Sequence, residues 1–195
     1  EMFQSIELPE NGVWVDMGGG TGSNLEYIAE SIPKLKKAYV VDLAGSLLEV
    51  ASKRMQDHGW TNAEAVEADA TTWTPPEGQA DVVTFSYSLT MIPDWFAAID
   101  NALRILKPGG RIGVADFYVS RKYPAEGARR HGWCTRSFWP IWFASDNVFP
   151  SPDHVPYLHH YFEAEQFHEY KNRIPYFPLF WFKMPYYTFV GRKKK

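Results

Sequence analysis

Cysteine is almost missing from this 195-residue chain: Cys134 stands alone. One thiol excludes an intrachain disulfide framework, and a reducing compartment is expected. There is no C-x-x-C pair and no clustered His/Cys spacing, so no metal site is expected. Long hydrophobic runs are lacking too. The most apolar stretch, Ile174 to Val190, is broken by three prolines and Lys183, and nothing reaches the ~20 residues of a spanning helix. No signal-peptide pattern, repeat or low-complexity segment occurs. The composition is that of an ordinary folded domain, 45% hydrophobic and 22% charged, long enough to bury a real core. The chain opens without methionine and reaches its first apolar strand only at Val13. The expectation is a single domain over residues 1–195, cut from a longer chain.

The most informative stretch runs from Val13 to Ser23, an apolar strand ending in Asp16 that enters a loop with glycines at 18, 20 and 22. Such glycines allow positive φ angles and let a ligand approach the backbone. The spacing is G-x-G-x-G, and the third glycine of a dinucleotide fingerprint is replaced by Ser23, which argues against NAD. Asp16 is expected to aim a carboxylate into the cleft, repelling a pyrophosphate and holding a cationic amino-acid moiety. That favours S-adenosylmethionine over an ordinary glycine-rich turn.

The following elements predict a doubly wound sheet. Ser23-x-x-Glu26 reads as a capping box opening a helix that Pro33 closes, and residues 38–42 as a second strand. Its terminal Asp42, 20 residues beyond Gly22, occupies the place of a ribose-binding carboxylate. Ser46-x-x-Glu49 reads as the cap of a helix ending at His58-Gly59. Residues 63–68 form a third strand leading to Asp69, which accepts the adenine amino group or simply makes an Asx turn. Residues 80–85 give strand four, Pro93-Asp94 starts a helix through Leu106, and residues 111–116 give strand five after Lys107-Pro108-Gly109-Gly110. Leu43, Ala70 and Ser86, at the same strand ends, complete the expected cofactor set.

The net charge of −3 hides a division. Residues 1–116 carry 8 basic and 17 acidic groups, whereas 117–195 carry 12 and 6, together with 22 of the 32 aromatic residues and five of the six histidines. A helix from Ser151-Pro152-Asp153 to about Phe162 and a hairpin, Glu165–Arg173 with Pro185–Arg192, are expected to finish the fold. The segment 118–150 is too long for a plain connection and reads as the substrate-recognition insertion. In it, Arg121, Lys122, Arg129, Arg130 and Arg136 suit a carboxylate or phosphate, and rings such as Trp133, Trp139 and Trp142 suit an alkylated ammonium. Alternatively, individual rings are core and individual arginines solvated.

Over residues 13–117 this ordered set of motifs resembles the class I S-adenosylmethionine-dependent methyltransferases. The resemblance implies an α/β, Rossmann-like fold with a mostly parallel seven-stranded sheet, helices on both faces and a C-terminal antiparallel hairpin. The run "FYVSRKYPAEGARRHGWCTRSFWPIWFASDNVFPSPDHVPYL" and the closing "MPYYTFVGRK" are similar to the N-methyltransferase part of betaine-lipid synthases. That resemblance implies trimethylation of diacylglycerylhomoserine, a fused aminocarboxypropyltransferase domain, and a location on the cytoplasmic side of a membrane, the endoplasmic reticulum in a eukaryote. Members of the wider group usually have N-terminal helices, often bearing an active-site tyrosine, and almost none of that lid is present here. Arg121, Arg136, Trp139 and Trp142 are the expected substrate contacts, with Arg136 the favoured carboxylate partner.

Tyr87, Asp116 and His131 are candidate bases if a dedicated base exists at all. Tyr87 could instead only pack on the cofactor, Asp116 only bind loop amides, and His131 lie on the surface. Peripheral contact with an anionic membrane is expected through the basic half and the tail Arg192 to Lys195, and nucleic acid is not an expected partner. The rival readings are a methyltransferase for phosphatidylethanolamine or a small amine, and a non-catalytic binding module.

Overall fold

The computed structural model describes residues 2–126, 128–172 and 183–194. Among them, seven strands make one sheet: β1 Val13–Met17, β2 Lys37–Asp42, β3 Ala63–Glu67, β4 Ala80–Ser86, β5 Leu106–Phe117, β6 Phe162–Asn172 and β7 Met184–Lys193. The order is β3-β2-β1-β4-β5-β7-β6, with β1 to β5 paired in parallel and β7 inserted antiparallel between β5 and β6. This is the expected Rossmann-like sheet and hairpin. Arg173, residues 174–182 of the apolar stretch, and Lys195 lie outside the described residues.

Among the described residues, five α-helices accompany the sheet: α1 Met2–Ser5, α2 Gly45–Asp57, α3 Trp95–Ile105, α4 Trp133–Ala144 and α5 His154–Tyr161. Because side chains alternate along a strand, Val13, Val15 and Met17 of β1 pack with Ala98, Ile99 and Ala102 of α3 and Leu158 of α5. Trp14 packs on the other face with Leu48, Ala51 and Met55 of α2. Both faces are therefore covered, as a buried parallel sheet requires.

Neither expected capping box forms. The segment after the glycine loop is two 3-10 turns, Ser23–Ile28 and Ile32–Lys34, without a side-chain cap. Glu26, the supposed reciprocal partner, is taken by Arg54 of α2, and Asn24 turns inward to donate to Asp16 Oδ2 at 2.9 Å. Ser46 lies inside α2, whose start is instead tethered by the Ala44 N–H donating to Asp42 Oδ1 at 2.9 Å. Residues 107–110 do not separate helix from strand. Leu106 already pairs with Ala80, and the ladder resumes at Arg111 after a bulge.

The segment 118–150 is structured. Its α4 buries Trp139 and Phe143 against Val119 and Met184, and Tyr118 bridges to Ser151. Beside it, His154 at the start of α5 is fully buried, edge-on to Trp95 at 4.7 Å, and neither ring nitrogen has a hydrogen-bond partner. Burial pushes its pKa from 6.5 down to about 4. The folded imidazole thus stays neutral where the unfolded one takes a proton, and the stability it costs grows as pH falls from 6.5 towards 4. His154→Phe should be at least as stable as the wild type at neutral pH. Its advantage should grow by about 1.4 kcal/mol per pH unit between roughly 6 and 4. Denaturant midpoints across that range measure this, and a pH-independent difference would contradict it.

Candidate functional site

The sheet order reverses around β1, which lies between β2 and β4, and ligands of open α/β sheets bind at the carboxyl ends of the strands at such a point. There the Gly18 and Gly19 N–H groups donate to Val41 O at 2.8 and 3.2 Å, and the Gly20 N–H donates to Asp42 Oδ2 at 2.9 Å. Gly18 has φ +66°, and a Cβ on it would lie 2.5 Å from the Ser88 Cβ. Only glycine fits. The loop opens onto a cleft of about 300 Å³ lined by Gly18, Asp42, Leu43, Asp69, Ala70, Thr71, Ser88, Met91 and Ile92, among others. Thr71, Ser88, Met91 and Ile92 were not expected. The one signal for the last three was their place between strand four and the Pro93-Asp94 helix start.

The acidic candidates divide. Asp42 and Asp69 line the cleft. Asp69 also makes its Asx turn: Oδ1 accepts from the Thr71 N–H at 2.8 Å and the Thr71 hydroxyl at 2.7 Å, and these bonds hold its pKa down. Asp16 does not project into the cleft. It is fully buried, accepting from the Thr84 hydroxyl at 2.6 Å and from Asn24, and burial pushes its pKa up to about 6 against those bonds. Its part is to hold the loop from beneath. Gly22 abuts Ala51 of α2, and Ser86 stays in the ladder opposite Ala115.

The three candidate bases also separate. Asp116 is fully buried and saturated by the Thr90 N–H and hydroxyl and by the Phe117 N–H, with burial raising its pKa to about 6. It is an anchor for loops rather than a group facing the cofactor. His131 is not on the surface. Its Nδ1 accepts from the Ser120 N–H at 3.0 Å, its Nε2 is buried without a partner, and its pKa falls to about 4 through burial and then Lys171, Arg129 and Arg136. Tyr87 alone reaches the open edge, 44% exposed and at φ +53°. Burial, then Tyr186, Asp116 and Tyr27, raises its pKa, so its phenol keeps its proton and is a poor base.

Of the expected substrate contacts, Trp139 is a core residue, fully buried. Arg121 is exposed and paired with Asp153 at 2.6 Å. Trp142 stacks on Phe138 at 5.8 Å and is part-exposed. Arg136 has a buried Nε without a hydrogen-bond partner. The chain of rings Tyr87, Phe117, Phe143, Trp139, Phe138 and Trp142, at centroid spacings of 5.0 to 5.8 Å, joins the cleft edge to the outer face of α4.

A family model described as a methyltransferase domain matches residues 15–110. The ubiquinone/menaquinone biosynthesis C-methyltransferase UbiE of Shewanella halifaxensis is 32% identical over 104 residues, covering 53% of this chain and 41% of that protein. The chain thus matches less than half the length of this relative. Among solved structures, the YcgJ protein of Bacillus subtilis superposes with a TM-score of 0.73 at 16% identity, covering 100% of this chain and 97% of that one. The N-methyltransferase NodS of Bradyrhizobium japonicum, bound to S-adenosyl-L-homocysteine, gives 0.66 at 12% identity, covering 94% and 79%.

The glycine cradle and the strand-end carboxylate fit S-adenosylmethionine as the cofactor. Charge-assisted hydrogen bonds contribute about 1.5 to 3 kcal/mol, so Asp42→Ala should weaken S-adenosylmethionine binding at least tenfold by calorimetry; unchanged affinity would remove Asp42 from the ribose. With the loop and the switch point in agreement, the chain has the Rossmann-like methyltransferase fold, and residues 15–110 match a methyltransferase domain.

Proposed function

We propose that this domain methylates the amine of a zwitterionic head group, the homoserine of diacylglycerylhomoserine in betaine-lipid synthesis. The observation that carries the reading is Arg136. Its Nε is buried and unpartnered, and Arg136, with Lys171 and Arg129, adds to the burial that holds the His131 pKa down at about 4. Arg129 is partly neutralised by Glu169 at 4.0 Å. Arg136 therefore remains the natural partner for a carboxylate, with bidentate geometry that lysine lacks. The aromatic residues beyond residue 116 supply the other half of a zwitterion site.

The cofactor supplies an electrophilic methyl group on its sulfonium when bound. The work left to the chain is to orient a neutral amine in line and to exclude water. No carboxylate or imidazole among the candidate bases reaches the open edge, and Tyr87 stays protonated. Desolvation of the amine, which lowers its pKa, is the route to its deprotonation. The C-methyltransferase named among the relatives supports carbon methylation as a second reading, resting on 53% of this chain; the basic, aromatic region beyond residue 116 favours the amine.

Contact with a membrane belongs to the same proposal. The described tail cations are engaged within the protein: Arg192 with Glu165, Lys193 with Leu106 O and Lys194 with His160 O. That shifts the contact to Lys122 and Arg130, which flank Tyr123, and to the exposed Trp133, Ile141 and Trp142 of α4. The fused aminocarboxypropyltransferase domain and the cytoplasmic-side location remain part of the proposal.

In the full-length protein, mass spectrometry should find trimethylated diacylglycerylhomoserine, and a carbon-methylated quinone as the sole product would overturn the reading. Arg136→Ala should raise the lipid KM or lower kcat/KM while leaving cofactor affinity intact. Parallel loss of both would mark Arg136 as structural. Co-sedimentation with anionic vesicles should weaken with salt and with Lys122→Glu plus Arg130→Glu, each basic residue adding about 1 kcal/mol. Binding indifferent to salt and to anionic lipid would remove electrostatics from the account.

A further inference from the structure

Tyr87 is the aromatic residue among the described positions that holds a left-handed backbone, at φ +53°, a conformation unfavourable for a bulky side chain and retained where surrounding structure enforces it. What enforces it is the end of the sheet: the Tyr87 N–H donates to Ala115 O at 2.7 Å. Tyr87 is 44% exposed and is the chain neighbour of Ser88, which lines the cofactor cleft. Strain of this kind at the rim of a ligand cleft needs a role for the ring.

Two other rings meet it there. Phe117, the last residue of β5, has its centroid 5.0 Å from that of Tyr87, with the planes inclined at 52°. The two faces form a wedge rather than a stack. Tyr186 of β7 is paired directly with Phe117 across the β5–β7 ladder, which places the two side chains on one face of the sheet, about 5 Å apart at Cβ. Its ring is fixed by stacking on Tyr170 at 4.9 Å and 20°. The Tyr186 hydroxyl is close enough to act electrostatically on Tyr87. The buried Asp116 carboxylate, one residue from Phe117, also acts on Tyr87, adding negative potential behind ring faces that are themselves electron-rich.

We infer that Tyr87, Phe117 and Tyr186 form an aromatic cage that binds the methylated ammonium group of substrate and product. The inference rests on the N-methylation reading and deepens it. A quaternary ammonium has no N–H to donate, so a site that must hold the amine through successive methylations does better with ring faces than with carboxylates. Tyr87 and Phe117 thereby become specificity residues that touch the substrate cation, and Tyr87 needs no role as a base. The cage also predicts that the fully methylated head group is retained as an inhibitor.

The test compares choline with its neutral isostere 3,3-dimethylbutan-1-ol by calorimetry on the full-length protein, without turnover. Choline should bind at least tenfold more tightly. Tyr87→Asn, which tolerates the left-handed backbone, and Phe117→Leu should each weaken choline several-fold with S-adenosylmethionine affinity unchanged. Tyr87→Phe, which keeps the ring face, should retain choline. Equal affinity for the two probes, or choline binding untouched in both Tyr87→Asn and Phe117→Leu, overturns the cage. The two readings fail separately: amine methylation without choline selectivity sinks only the cage, and choline selectivity with carbon methylation sinks only the proposed reaction.

Discussion

A buried carboxylate holds the cofactor cleft together. Asp16, next to last in β1, has no exposure to solvent, and its two oxygens accept from Thr84 of β4 and from Asn24 of the turn beyond the glycine loop. Two segments, one of them 68 residues away in sequence, are thus fixed to one side chain. An unpaired polar group in such a place would cost several kcal/mol, so the bonds are required by the burial. A Cβ on Gly19 would approach Asp16 Oδ2 to 2.7 Å, so the loop is laid directly over the carboxylate. With the loop pinned from below, its amide groups are committed to Val41 and Asp42, and the cleft takes its shape from the backbone.

The same logic repeats two strands along. Asp116 at the end of β5 accepts from the Thr90 amide and hydroxyl, tying the loop after β4 to the strand that leads into residues 118–150. Tyr87, directly after β4, is held at φ +53° with its N–H donating to Ala115 O. The aromatic chain from Tyr87 to Trp142 then carries packing from the cofactor edge to the surface of α4. The cofactor cleft thus lies in the first half of the chain, and the Tyr87–Phe117 pair joins that half to the aromatic second half.

Failed expectations share a physical cause. Ser23-x-x-Glu26 and Ser46-x-x-Glu49 satisfy the local pattern of a capping box, but Glu26 finds Arg54 across the fold and Asp42 already tethers the start of α2. Trp139 and Trp142 are three residues apart on α4, yet one is core and the other part-exposed, because the helix has one buried face. Asp16, Asp116 and His131 are chemically apt as site residues, but strand alternation and the Ser120–His131 contacts turn them inward.

The sequence by itself determined the sheet, its glycine loop and the acids at its strand ends, since apolar periodicity and glycine placement act within a few residues of themselves. It also marked residues 118–150 as a long aromatic and basic segment. Tertiary structure alone decided which polar groups face ligand and which face core. Burial and partner choice depend on residues as distant as Asp16 and Thr84, or Phe117 and Tyr186, that only the folded sheet brings together.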